Sequence, residues 1–183
     1  MKHSLIDTYD KLLKQSFLIP ALVTQAANKN ISFLENLNLW LLNTEEVMRR
    51  HHISKCSELA GLRSKIIAVS YAKEAKVSKR KRLLSVATSI IYDAQATVLN
   101  ILEPMENQLE EARAAIRQLL GVAYQTEMIN PHVDFNTIVQ TLWATFSTHE
   151  QLKGAVASIL VLVNKSDALR ILAEEIDMSI LKK

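Results

Sequence analysis

From Leu84 to Val122 the chain reads LSVATSIIYDAQATVLNILEPMENQLEEARAAIRQLLGV, and the spacing of apolar residues in this stretch decides the fold. Leu84, Ala87, Ile91, Ala94, Val98, Ile101, Met105, Gln108, Ala112, Ala115, Leu119 and Val122 alternate steps of three and four. That is the spacing of one face of a long α-helix, with Pro104 and the polar Gln108 as interruptions. Pro104 is expected either to kink this helix or to divide it into an antiparallel pair, because proline removes a backbone donor and clashes with the preceding turn. Glu106, Glu110 and Glu111 follow it, as favoured at a helix N-terminus. The many alanines allow close approach of a second helix, from the same chain or from another copy.

The composition points the same way. The 183 residues include 3 Gly and 3 Pro, where average usage would give roughly 13 and 9. With so few turn residues, an all-α bundle of about six to nine helices, without a sheet, is expected. An apolar fraction of 49% with only 5% aromatics gives an aliphatic core, and the mean hydropathy of +0.06 leaves apolar surface over for a partner. The length suits one helical domain, 1–183, or a main bundle 1–129 with a C-terminal part 132–183.

Outward from the seam, Leu5, Tyr9, Leu12, Leu13 and Phe17 mark a first helix, and Pro20 suits the first turn of the next. Ile31 to Leu42 is apolar nearly all round, so Leu34, Leu37, Trp40 and Leu41, with Ile91 and Val98 of the seam, are candidate interface residues for a homo-oligomer, a dimer in its simplest form. Asn43 with Glu46, and Thr148 with Gln151, have capping-box spacing, while Asp134 and either Ser166 or Asp167 are candidate N-caps. A helix continuous from Ser54 to Leu102 would outgrow a compact domain, so a break is expected near Val77 and Ser78. Gly121 and Asn130–Pro131 bracket a further break.

Charge is concentrated in one place. Lys73, Lys76, Lys79, Arg80, Lys81 and Arg82, against Glu74, put +5 into ten residues of a chain whose net charge is +3, leaving −2 for the rest. Such a segment suits phosphates or an acidic partner face. No aromatic residue interleaves to stack bases, which makes nucleic acid the second choice as partner.

Other chemistry finds no support in the pattern. There is no Gly-rich phosphate loop, dinucleotide fingerprint or nucleophile elbow, and no His stands three residues after a Glu as di-iron bundles require. His51 and His52 read as an exposed pair, and the single cysteine, Cys56, as a structural thiol in a reducing compartment. Trp40 and Trp143 read as core anchors. The stretch from Ala155 to Val163 is far shorter than the roughly 20 residues of a membrane span. The resulting expectation is a cytoplasmic, non-enzymatic helical protein, without cofactor or metal, that acts through contacts with itself and another protein as an adaptor, regulator or assembly component. The alternative is a nucleic-acid-associated protein using residues 73–82.

Overall fold

A computed structural model describes residues 3–71, 78–130 and 132–177. Among them the chain is all-α, with eight helices: α1 (Leu5–Ser16), α2 (Ile19–Ala27), α3 (Phe33–Arg50), α4 (Cys56–Tyr71), α5 (Lys79–Gln125), α6 (Phe135–Thr148), α7 (Lys153–Leu162) and α8 (Lys165–Glu175). They belong to two compact units, Asp7–Pro104 and Met1–Ile6 with Met105–Lys183.

The expected break after α4 is present: α4 ends at Tyr71 and α5 starts at Lys79. Ser78 precedes α5 and accepts a hydrogen bond from the Lys81 N–H at 3.4 Å, while Val77 lies outside the described residues. Pro104 does not divide the seam. One helix of 47 residues runs through it, so the expected antiparallel pair is not made there. The residues of α5 up to Pro104 belong to one unit and those from Met105 to the other.

The seam is buried, with a shift. Ala87, Ile91, Ala94, Val98 and Ile101 are in the core as expected, but beyond Pro104 Leu109, Ile116 and Ala123 replace Gln108, Ala115 and Val122. A helix that is not supercoiled drifts by about 20° per heptad, which over roughly five heptads amounts to about one residue. Gln108 turns aside instead, and its side-chain amide donates to the Leu162 carbonyl at the end of α7.

In the first unit α3 packs on α2 and α4 and buries Phe33, Leu37, Trp40, Leu41, Thr44 and Met48, one helical face. The capping-box spacing at Asn43 opens no new helix, since α3 continues to Arg50 and Thr44 donates back to the Trp40 carbonyl. Glu45 of α3 and Arg63 of α4 form a two-pronged ion pair at 2.7 and 3.1 Å, and this hydrogen bond pushes the Arg63 guanidinium above its ordinary pKa. In the second unit α6, α7 and α8 pack on one another around Trp143 and Phe146. Asp134 caps α6 as expected, accepting from the Thr137 N–H. Thr148 is the last residue of α6 rather than a cap of α7, and Asn164 caps α8 in place of Ser166 or Asp167. Gly121 lies within α5 and breaks nothing.

Helix ends explain how the chain turns with so little glycine. After α2, α3 and α5 the reversing residues Lys29, His52 and Glu127 have φ of 51, 55 and 52°. The next amides return to the helix, Asn30 to the Gln25 carbonyl, Ile53 to Met48 and Met128 to Ala123. This six-to-one closure usually places glycine in the left-handed position. Here three side-chain-bearing residues occupy it, while Gly61, Gly121 and Gly154 all sit inside helices.

Candidate interaction cleft

The residues expected to form an interface are for the most part core. Leu37 and Leu41 are fully buried, Trp40 and Ile91 nearly so, Val98 is fully buried and Leu34 is half-buried. All of them but Leu34 are thus packed into the core of the chain itself. The all-round apolar character of the stretch has another consequence. A single helix face holds the core contacts, and Ile31, Leu39 and Leu42 remain outside it, at 82, 55 and 40% exposure.

Leu39 borders a cleft of about 220 Å³ between α2 and α3, whose other walls are Leu18, Ala21, Leu22, Gln25, Asn36, Trp40 and Asn43. Local sequence builds it. α1 ends at Ser16 and Pro20 stands in the first turn of α2, leaving Phe17 and Leu18 in the short corner, 70 and 51% exposed. Lys29 then reverses the chain so that α3 returns along α2. Polar ties join the helices beside its apolar floor. Asn36 Nδ2 donates to Gln25 Oε1 at 2.9 Å, and Trp40 Nε1 donates to the Gln15 carbonyl at 2.9 Å. None of the eight lining residues is charged. Leu18 and Leu39 were legible only as leftovers of the helical face; that they meet across a cleft depends on the α2–α3 reversal.

The basic residues stand elsewhere in the first unit. Lys79, Arg80 and Lys81 are exposed and Arg82 half-buried in the first turn of α5, whereas Lys73 and Lys76 lie outside the described residues. No acid occupies that first turn. The described part of the segment thus adds side-chain cations to the positive end of a helix dipole, an arrangement opposite to the stabilising one.

Among the described residues His51 and Cys56 each have a hydrogen-bond partner. His51 is not the exposed group expected: its side chain is 9% exposed, with Nδ1 2.6 Å from Thr8 Oγ1 and Nε2 4.0 Å from Asp7. Thr8 is buried as well. Cys56 is half-buried and its thiol donates to the Glu45 carbonyl at 3.4 Å. A second cleft, between α4 and α5, combines Glu58, Asp93 and Lys65 with Ser57 and Thr97, but Thr97 already donates to Glu58 and to the Asp93 carbonyl. Among the described residues no group of three or more His, Cys, Asp or Glu is placed to hold a metal, and no helix is long and apolar enough to cross a membrane. Compared with known protein families, with curated proteins and with solved structures, the chain matches none.

Proposed function

We propose that the protein is a non-enzymatic helical interaction module that receives the apolar face of a partner's helix in the α2–α3 cleft. One observation carries the reading: Leu18 and Leu39, each about half exposed, flank an uncharged cleft floored by Leu22 and Trp40. Covering a leucine fully is worth about 1.5–3 kcal/mol, so two half-exposed leucines and the neighbouring Phe17 supply a modest driving force. A helix laid in a groove is recognised by side chains at i, i+3 or i+4, and i+7. The amide and carbonyl edges of Gln25, Asn36 and Asn43 along the walls add directional contacts without requiring a charged ligand.

The test is a selection of displayed helical peptides on the wild-type protein. Selected sequences are expected to carry apolar residues at that spacing and to bind Leu39→Glu and Leu18→Glu proteins at least tenfold more weakly. Both substitutions fall on half-exposed positions, so thermal stability is expected to change little. Peptides that bind the two variants as tightly as wild type would refute the cleft as the docking site.

A second reading rests on the first turn of α5. Its bases oppose the helix dipole, and a bound phosphate would relieve that repulsion. If duplex or single strands bind, changing Lys79, Arg80, Lys81 and Arg82 together to Ala should weaken all sequences alike. The slope of log affinity on log salt should flatten by up to about 0.9 for each duplex phosphate that the variant no longer neutralises. No binding by wild-type protein at low salt would end this reading and leave the cleft unaffected.

A further inference from the structure

We infer that residues 3–5 form a latch on α8, so that the start of α1 and the first turn of α8 open and close together. Its seat is Asp167, an acid only 2% exposed. One carboxylate oxygen accepts from Ser4 Oγ at 2.6 Å and the other from the Leu5 N–H at 2.6 Å. Beside it Asn164 acts twice: Oδ1 accepts from the Asp167 N–H at 2.8 Å as the N-cap of α8, and Nδ2 donates to the His3 carbonyl at 3.0 Å. Three consecutive residues at the start of the described chain are therefore tied to one helical turn more than 160 positions away.

The chemistry makes the tie reciprocal. A helix N-terminus favours negative charge, and Asp167 sits in the first turn of α8 while also bonding the first residue of α1. One carboxylate thus serves two helix ends. A carboxylate so buried is tolerated because both oxygens accept hydrogen bonds from protonated groups, and such charge-assisted bonds are about twice as strong as neutral ones. Removal of residues 3–5 takes both donors away, leaving the charge without those partners unless the α8 turn loosens and admits water. Loosening of α8 in turn removes the cap from α1. Residues 3–6 group with Met105–Lys183 rather than with the remainder of α1, so the latch is internal to the second unit. A partner, or a change of charge, acting on Ser4 would accordingly be read out at α8.

The experiment is hydrogen exchange of the full chain, followed in peptides from residues 3–10 and 164–176. Ser4→Ala is expected to speed exchange in the α8 peptide about tenfold, and Ser4→Glu further, because it sets a second carboxylate against the buried one. Asp167→Asn is expected to speed exchange in both peptides. If α8 exchange is the same in wild type, Ser4→Ala and Ser4→Glu, Asp167 caps only its own helix and the latch does not exist. Should Asp167→Asn fail to fold, the two Ser4 variants decide the question by themselves.

Discussion

The two halves of α5 belong to one uninterrupted helix yet behave as different elements. From Lys79 to Pro104 the helix starts with a run of bases and buries Ala87, Ile90, Ala94 and Val98 within the first unit. From Met105 onward it carries acids early, Glu106, Glu110 and Glu111, and buries Ala112, Ile116, Leu119 and Ala123 within the second unit. The later half also carries Arg117, paired to Glu175 of α8 at 2.6 and 2.8 Å, and that hydrogen bond raises the guanidinium pKa above its ordinary value. Regular helical hydrogen bonding therefore need not respect the division of a chain into packed units. Local periodicity records where a helix can continue; burial records which core each part serves.

Core truncation gives the largest effect with which to break this comparison. Ile90→Ala and Ile116→Ala each delete a side chain about 1% exposed and should cost about 2–5 kcal/mol. Hydrogen exchange should locate the effect within Asp7–Pro104 for the first and within the Met105–Lys183 part for the second. Equal weakening of protection in both units by either variant would show that the halves work as one cooperative element.

Pro104 sharpens the comparison at the point of division. In a helix interior proline forfeits the bond to the carbonyl four residues earlier, here Asn100, and costs up to about 3 kcal/mol relative to Ala. Pro104 is exposed, so Pro104→Ala should raise stability by about 1–3 kcal/mol without a packing penalty. An unchanged or lowered denaturation midpoint would mean that the proline is accommodated by a local distortion that the second half of the helix requires.

Smaller effects are expected where α5 ends. Glu127→Gly should stabilise by about 1 kcal/mol, because glycine adopts the left-handed conformation without the Cβ clash, and Lys29→Gly and His52→Gly should behave alike at the ends of α2 and α3. Gly121→Ala should add about 0.5–1 kcal/mol, since nothing lies within 4 Å of the Cβ it would introduce. Thermal melts of these four variants would check the account of the turns. Destabilisation by Glu127→Gly would indicate a side-chain contribution at that corner that outweighs backbone strain.

Much of the architecture was legible in the spacing of apolar residues. Ala87 to Ile101 mark the buried face of α5 correctly, and Asp134 marks the start of α6, because both signals are local: a 3.6-residue period and a side chain that reaches an amide three residues on. Capping-box spacing at Asn43 and Thr148 misled for an equally physical reason. Asn43 stands inside α3, and Thr148 bonds back to the carbonyl of Ala144 within its own helix, an option open to any helical threonine. Five of the six candidate interface residues are buried in the chain itself: hydrophobicity around a helix shows that it will be covered, without showing what covers it.

What the amino-acid sequence determined by itself is the class of structure, the aliphatic helical faces, the position of the basic segment and the two tryptophan anchors. These follow from interactions among residues a few positions apart. Only the tertiary structure decided that Leu18 and Leu39 share a cleft, that the seam belongs to the interior, that Gln108 closes the end of α7, and that Asp167 is held by Ser4 and Leu5. Each depends on where helices distant in sequence come to lie. No period or capping rule encodes a distance between such helices, because it is set by the shapes of all the side chains that fill the space between them.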